Sequence, residues 1–204
     1  MNPTWSPRRQ RRQRTGTAML LQGACTAMLL LGACTSAPTR LYTLYAIAPA
    51  ATRSTYAGPP LRVDAVHFPP ALDRIEIIRD SGPGQLRLSD TDHWSAPLGE
   101  TARQALSADL VARLPPGKAL YPRLPKPDGA LGLSVDVLEF HTDARGAELQ
   151  ASWVLSPAGQ GQRAAASASS ATLRSSEPAA NAAETAQALS TLLAQLADRI
   201  VAGL

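Results

Sequence analysis

Leucine or alanine returns every fourth residue at Leu98, Ala102, Leu106, Leu110 and Leu114, with Ala105 beside them. That spacing draws one apolar stripe and predicts a helix over about Ala96–Leu114. Ser95 suits its N-cap, Pro97 its first turn, and Glu100 the positive end of its dipole. Pro115-Pro116-Gly117 stops it. A second stripe, Ala186, Leu189, Leu193, Leu196 and Ile200 with Leu192 beside it, predicts a final helix over about Ala179–Ala202. Elsewhere the period falls to two. Leu131, Leu133, Val135 and Val137 alternate with smaller or polar residues, as do Ala147, Leu149, Ala151, Trp153 and Leu155. They read as two strands joined by a turn at Asp143-Ala144-Arg145-Gly146. Leu61–Phe68 reads as a strand with Leu61, Val63 and Ala65 on one face, stopped by Pro69-Pro70. Ile75–Arg79 and Gln85–Ser89 flank Ser81-Gly82-Pro83-Gly84 as a hairpin, and Leu41–Ala48 is an earlier strand. Residues 49–60 are a loop rich in Pro, Ala, Ser and Thr. The stretch Gln162–Arg174 is almost all Ala and Ser, either a strand of small side chains or a loop. Following Pro157-Ala158-Gly159, it is read as the third strand of a meander. Strands, helix, strands, helix predict an α+β fold: a single domain with an antiparallel sheet and two main helices packed on one face.

The N-terminus follows another pattern. Arg8, Arg9, Arg11, Arg12 and Arg14 precede an apolar run from Ala18 to Leu31, and small residues follow. This is the order of an export signal. The run is short of the roughly 20 residues that span a bilayer. It contains a tandem repeat, TAMLLQGAC at 17–25 and TAMLLLGAC at 26–34, so each of the two cysteines follows Gly-Ala. Leu31-Gly32-Ala33-Cys34 resembles a bacterial lipoprotein signal, with an apolar residue three before the cysteine. Gln22 spoils the same position before Cys25. A plain secretory signal cut nearby and an uncleaved anchor are the competing readings. On the lipoprotein reading, residues 1–33 are removed, 34–40 are a lipidated tether and 41–204 form the domain. Cys34 then carries diacylglycerol on its thiol and an acyl chain, such as palmitate, on its amine. Thr35, where sorting rules place Asp for inner-membrane retention, favours the outer membrane. The six residues from Cys34 to Arg40 reach at most about 20 Å.

Composition changes the picture in one respect. The net charge of +4 belongs to the leader: five of the 20 basic residues lie there, and the remaining 15 face all 16 acids. With aromatics at only 4%, nothing supports nucleic-acid binding. Apolar residues at 45% suffice for a packed core. With no cysteine after Cys34, the mature chain has no internal disulfide.

Candidate chemistry is sparse. His67, His93 and His141 show no metal-ligand spacing, and no metal is expected. Ser134, in Gly132-Leu133-Ser134-Val135-Asp136, lacks the second glycine of a nucleophile elbow. Asp92-His93 has no partner nucleophile. The chain is not expected to be an enzyme or to carry a cofactor besides the acyl groups. Two clusters remain. Asp73 and Arg74 follow a proline pair and precede an apolar strand, either as a solvated ion pair worth about 0–1 kcal/mol or as a contact surface. His93 and Trp94 precede the first helix, where Trp94 either covers the core or anchors a partner.

Together these pieces resemble the ABC-type transport auxiliary lipoproteins, the PqiC or YmbA (paraquat-inducible protein C) family. Cys34 and Tyr42-Thr43-Leu44 match its opening. Pro69, Leu72, Asp73, Arg74, Ile77 and Ile78 match its Leu-Pro-x-Tyr-Leu-Asp-Arg-x-x-Ile-Val element, without the aromatic. His93, Trp94, Pro97 and Leu98 match its His-Arg-Trp-Ala-Glu-Pro-Leu element, one residue shorter. The resemblance implies a lipoprotein on the periplasmic face of the outer membrane of a Gram-negative bacterium. There it would dock an MCE-domain bridge protein (PqiB-like) that works with an inner-membrane permease and ATPase, supporting lipid transport and envelope integrity. Asp73, Arg74, His93 and Trp94 are then partner-contact candidates. Small residues at 162–173 suit edge pairing in a homo-oligomer. The alternative is a free-standing lipid-binding or envelope-assembly lipoprotein.

Overall fold

The computed structural model describes residues 37–49, 55–80, 86–143, 146–157, 167–177 and 179–204. The leader with Cys34, the Ser81–Gly84 turn, Ala144-Arg145 and residues 162–166 lie outside them. One compact unit spans Thr39–Leu204. The elements are β1 (Arg40–Tyr42), β2 (Leu61–His67), β3 (Glu76–Asp80), β4 (Leu86–Trp94), α1 (Leu98–Arg113), β5 (Ala119–Leu120), β6 (Leu131–Asp143), β7 (Gly146–Pro157), β8 (Ser167–Ser175) and α2 (Ala182–Ala202).

The strands form two sheets, in the orders β5-β2-β6-β7-β8 and β1-β4-β3. The class is α+β, as expected, but the sheets are mixed rather than antiparallel throughout. β2 runs parallel to both β5 and β6, and β1 runs parallel to β4. The reason is connectivity. The long excursion through β3, β4 and α1 between β2 and β6 lets the chain re-enter in the same direction. The expected meander is present: β6, β7 and β8 pair antiparallel in turn, and the Ala/Ser segment is the edge strand.

Both helices cover one face of the larger sheet. α1 packs on β2, α2 packs on β7 and β8, and the helices pack on each other. The core between them gathers Leu61, Val63, Leu133, Val135, Leu149, Leu106, Leu110, Leu189, Leu193 and Leu196, all essentially inaccessible. Burying a leucine fully is worth about 1.5–3 kcal/mol relative to leaving it exposed, so this interior dominates stability. The opposite face carries the Arg62–Asp64 and Lys126–Asp64 ion pairs.

Three local expectations are corrected. β2 shifts register between Val63 and Ala65, so Asp64 is an extra residue in a bulge. The buried row is therefore Leu61, Val63, Val66 and Phe68, and Ala65 leaves the core face. The expected strand Leu41–Ala48 shrinks to β1, and residues 43–49 continue as a strap without strand pairing. β4 extends past Ser89 to Trp94, so His93 and Trp94 lie on a strand rather than in a helix approach.

Candidate functional site at the start of the first helix

The residues between Pro69 and Arg74 form a tight turn. The amides of Leu72 and Asp73 both donate to the Pro69 carbonyl, at 2.8 and 3.1 Å, and the Arg74 amide donates to the Leu72 carbonyl at 2.9 Å. The turn aims the Asp73 carboxylate at α1. Its Oδ1 accepts from the Gly99 amide at 3.0 Å. That amide is among the first four of a helix, which have no intrahelical acceptor. The N-cap position is Pro97, which makes no side-chain cap. Asp73 therefore caps the helix from another part of the chain. The expected cap, Ser95, lies two residues too early, because β4 holds the chain extended up to Trp94. Gly99 is needed here: a Cβ on it would lie 2.7 Å from the Val66 carbonyl oxygen.

The end of β4 completes the joint. The Trp94 amide donates to the Ile75 carbonyl at 2.6 Å, and the Ser95 amide donates to the Tyr42 carbonyl at 2.7 Å. Asp92 fastens β1 alongside. Its carboxylate accepts from Arg40 Nε at 2.8 Å, from the Tyr42 hydroxyl at 3.3 Å and from Ser89 Oγ at 3.0 Å. Burial alone would push this carboxyl up. Arg40, Ser89 and Tyr42 outweigh it and hold the group below the usual carboxylate range.

The four sequence candidates thus divide. Trp94 is 4% exposed and belongs to the core, so its contact reading is corrected: the ring cannot anchor a partner from beneath this surface. Asp73 is exposed but holds the helix start. Arg74 is exposed and pairs with Glu76 at 3.2 Å rather than with Asp73. His93 is half-buried, opposite Glu76 on one side and Leu41 on the other. Asp73, Arg74 and His93 therefore remain at the surface, with Trp94 under them.

Sequence reasoning missed a second cluster. Asp109 and Arg113 lie one turn apart on the inner side of α1, both buried. Asp109 Oδ1 accepts from Arg113 Nη1 at 3.1 Å and from the Ile47 amide at 2.9 Å. Arg113 donates to the Ile47 carbonyl at 3.1 Å and to Asp198 of α2 at 2.6 Å. The strap is held further by the Tyr45 hydroxyl, which donates to Gln187 Oε1 at 2.8 Å. Asp109 Oδ2 is buried with no hydrogen-bond partner among the described residues. Burial pushes this carboxyl up to about 6, against the opposing pull of the Ile47 amide and Arg113. The signal was present in the sequence: positions 105, 109 and 113 continue the apolar stripe with an ion pair.

Among the described residues, no three His, Cys, Asp or Glu side chains gather where a metal could be held. No described helix is long and apolar enough to cross a membrane. The residues singled out by the motifs serve chiefly to join strands to a helix and to present a small polar surface.

The architecture is an α+β module in which a turn, a strand end and a helix start meet at one joint. The family model for the ABC-type transport auxiliary lipoprotein component matches residues 42–201, and the chain belongs to that family. It is accordingly an auxiliary component of ABC-type transport, which suggests a membrane-associated place in the cell envelope. A solved structure described as an uncharacterized protein superposes with a TM-score of 0.66 at 21% identity, over 82% of this chain and 99% of that one. Protein XCC0632 from Xanthomonas campestris, of family DUF330, superposes with a TM-score of 0.56 at 17% identity, over 79% and 92%. These likenesses concern the fold. No curated protein matches the sequence.

Proposed function

We propose that this protein is an outer-membrane lipoprotein, anchored through acyl groups on Cys34, that docks the periplasm-bridging MCE-domain protein of an ABC-type lipid transport system. The observation that carries the reading is the family match across residues 42–201, together with a leader ending in Leu31-Gly32-Ala33-Cys34. The protein itself catalyses nothing; an ATPase and permease at the inner membrane supply the work. The docking surface centres on Arg74 and the turn that Asp73 shapes, at the margin of the smaller sheet. Among the described residues β8 pairs on one side only, and its exposed Ser167–Ser170 side chains are small, so a second copy can approach its other edge closely.

The test is a mild-detergent pull-down of the tagged full-length protein from native membranes, read by mass spectrometry. Recovery of an MCE-domain protein with a permease and ATPase is the expected outcome. Arg74→Glu should reduce that recovery severalfold while leaving the far-ultraviolet circular dichroism unchanged. Recovery of intact, lipidated bait alone would overturn docking and favour a free-standing lipid-binding or assembly lipoprotein.

A further inference from the structure

The β1-β4-β3 sheet has two unlike faces. On one, Ile77, Tyr42 and Trp94 join the core. The other is set by the register: Leu41 lies opposite His93, His93 opposite Glu76, and Ile78 opposite Leu88. Paired residues share a face; on β3, Glu76 and Ile78 flank buried Ile77, and the register shift between them lets β4 bring both His93 and Leu88 to the outer side despite their odd spacing. Leu41, Ile78 and Leu88 therefore share the outer side, and Leu86 follows two residues before Leu88. Leu41 is 68% exposed, Leu86 52% and Leu88 43%, while Ile78 is half-buried. Neither helix covers this side.

We propose that this outer sheet face rests on the lipid bilayer that holds Cys34, with Leu41, Leu86 and Leu88 entering the headgroup region. The inference builds on the lipid-anchor reading above. Leu41 follows Cys34 by seven residues, so even a fully extended tether keeps it within about 25 Å of the acylated residue. A domain held that close meets the membrane far more often than it meets any soluble partner. Exposed Arg74, just before β3, borders the row, whereas Arg40 and Arg87 alternate with the leucines and lie on the other side of the sheet. Apolar side chains bordered by arginine suit the boundary between acyl chains and phosphates. Two acids lie within the row: Glu76, which is paired with Arg74, and Asp80, opposite Leu86.

The experiment uses the mature lipidated protein in vesicles of phosphatidylethanolamine and phosphatidylglycerol. Cys34 is acylated and no other cysteine follows it, so Leu88→Cys or Leu41→Cys supplies a single thiol for an environment-sensitive fluorophore. Ser170→Cys, on the exposed edge strand, is the reference. Quenching by shallow nitroxide-labelled lipid should be severalfold greater at positions 41 and 88 than at 170. Equal, weak quenching at all three overturns the proposal. So does protection of position 88 from an aqueous quencher without quenching by lipid, which would assign the face to a protein. Fluorophore uptake by the unsubstituted protein would show a free Cys34 thiol; that separate result removes the anchor reading and this proposal with it.

Discussion

Asp73 is the residue whose role differs most from its appearance in the sequence. Beside Arg74 it reads as half of a surface ion pair; in the fold its carboxylate satisfies the Gly99 amide. Asp73→Ala should therefore lower stability by about 1 kcal/mol, the typical cost of a lost helix cap, and Asp73→Asn by less, as urea midpoints would show. Trp94→Ala should cost about 3–5 kcal/mol, as expected for a large buried ring. Asp109 makes a prediction of a different kind. Its carboxyl is raised to about 6, so the native state keeps a proton that the unfolded chain has already lost near pH 4. Stability contributed through this group is present at low pH and declines as pH rises from about 4 through 6. Urea midpoints measured across that window should fall for the native protein relative to Asp109→Asn, which cannot ionise. A constant difference between the two would show that Asp109 titrates normally.

At the scale of elements, periodicity carried most of the fold. The two helices and the β6–β7 pair are legible because their apolar faces repeat over many residues; the Ala/Ser-rich β8 is legible only from its place after that pair. What escaped depends on partners distant in sequence. β5 is two residues long and exists only through pairing with β2. The parallel placement of β1 and β2 cannot be read from alternation, which is the same in either direction. The bulge at Asp64 resets the period within one strand. The site was legible as motif residues, but not in its roles, because capping by Asp73 and burial of Trp94 arise from long-range approach. The strap 43–49 is the element most dependent on such approach. Arg113 holds it while balancing Asp109 and Asp198, so Arg113→Ala leaves a buried carboxylate without its cation. A loss of about 3–5 kcal/mol is expected. Hydrogen exchange should then show the Ile47 amide, which donates to Asp109, losing its protection first.

For the whole molecule, the near balance of charge beyond the leader has an experimental consequence on the lipoprotein reading. Attachment to the membrane would rest on acyl chains and a small apolar face, with little long-range attraction to be screened by salt. Washing membranes with concentrated salt should leave the protein in place, and Cys34→Ser should move it to the soluble fraction; immunoblots of both fractions decide. The short β1 also has a meaning in mechanics. Its three residue pairs with β4 and the bonds of Arg40 and Tyr42 to Asp92 lie close together along one line. Tension applied at Thr39 along that line loads them in shear, all at once, instead of peeling them apart one by one. Behind them the Ile47–Asp109–Arg113 latch forms a second stop. On the lipoprotein reading, a domain pulled at its tether would yield at these stops first, and its core would feel the pull only after both had given way.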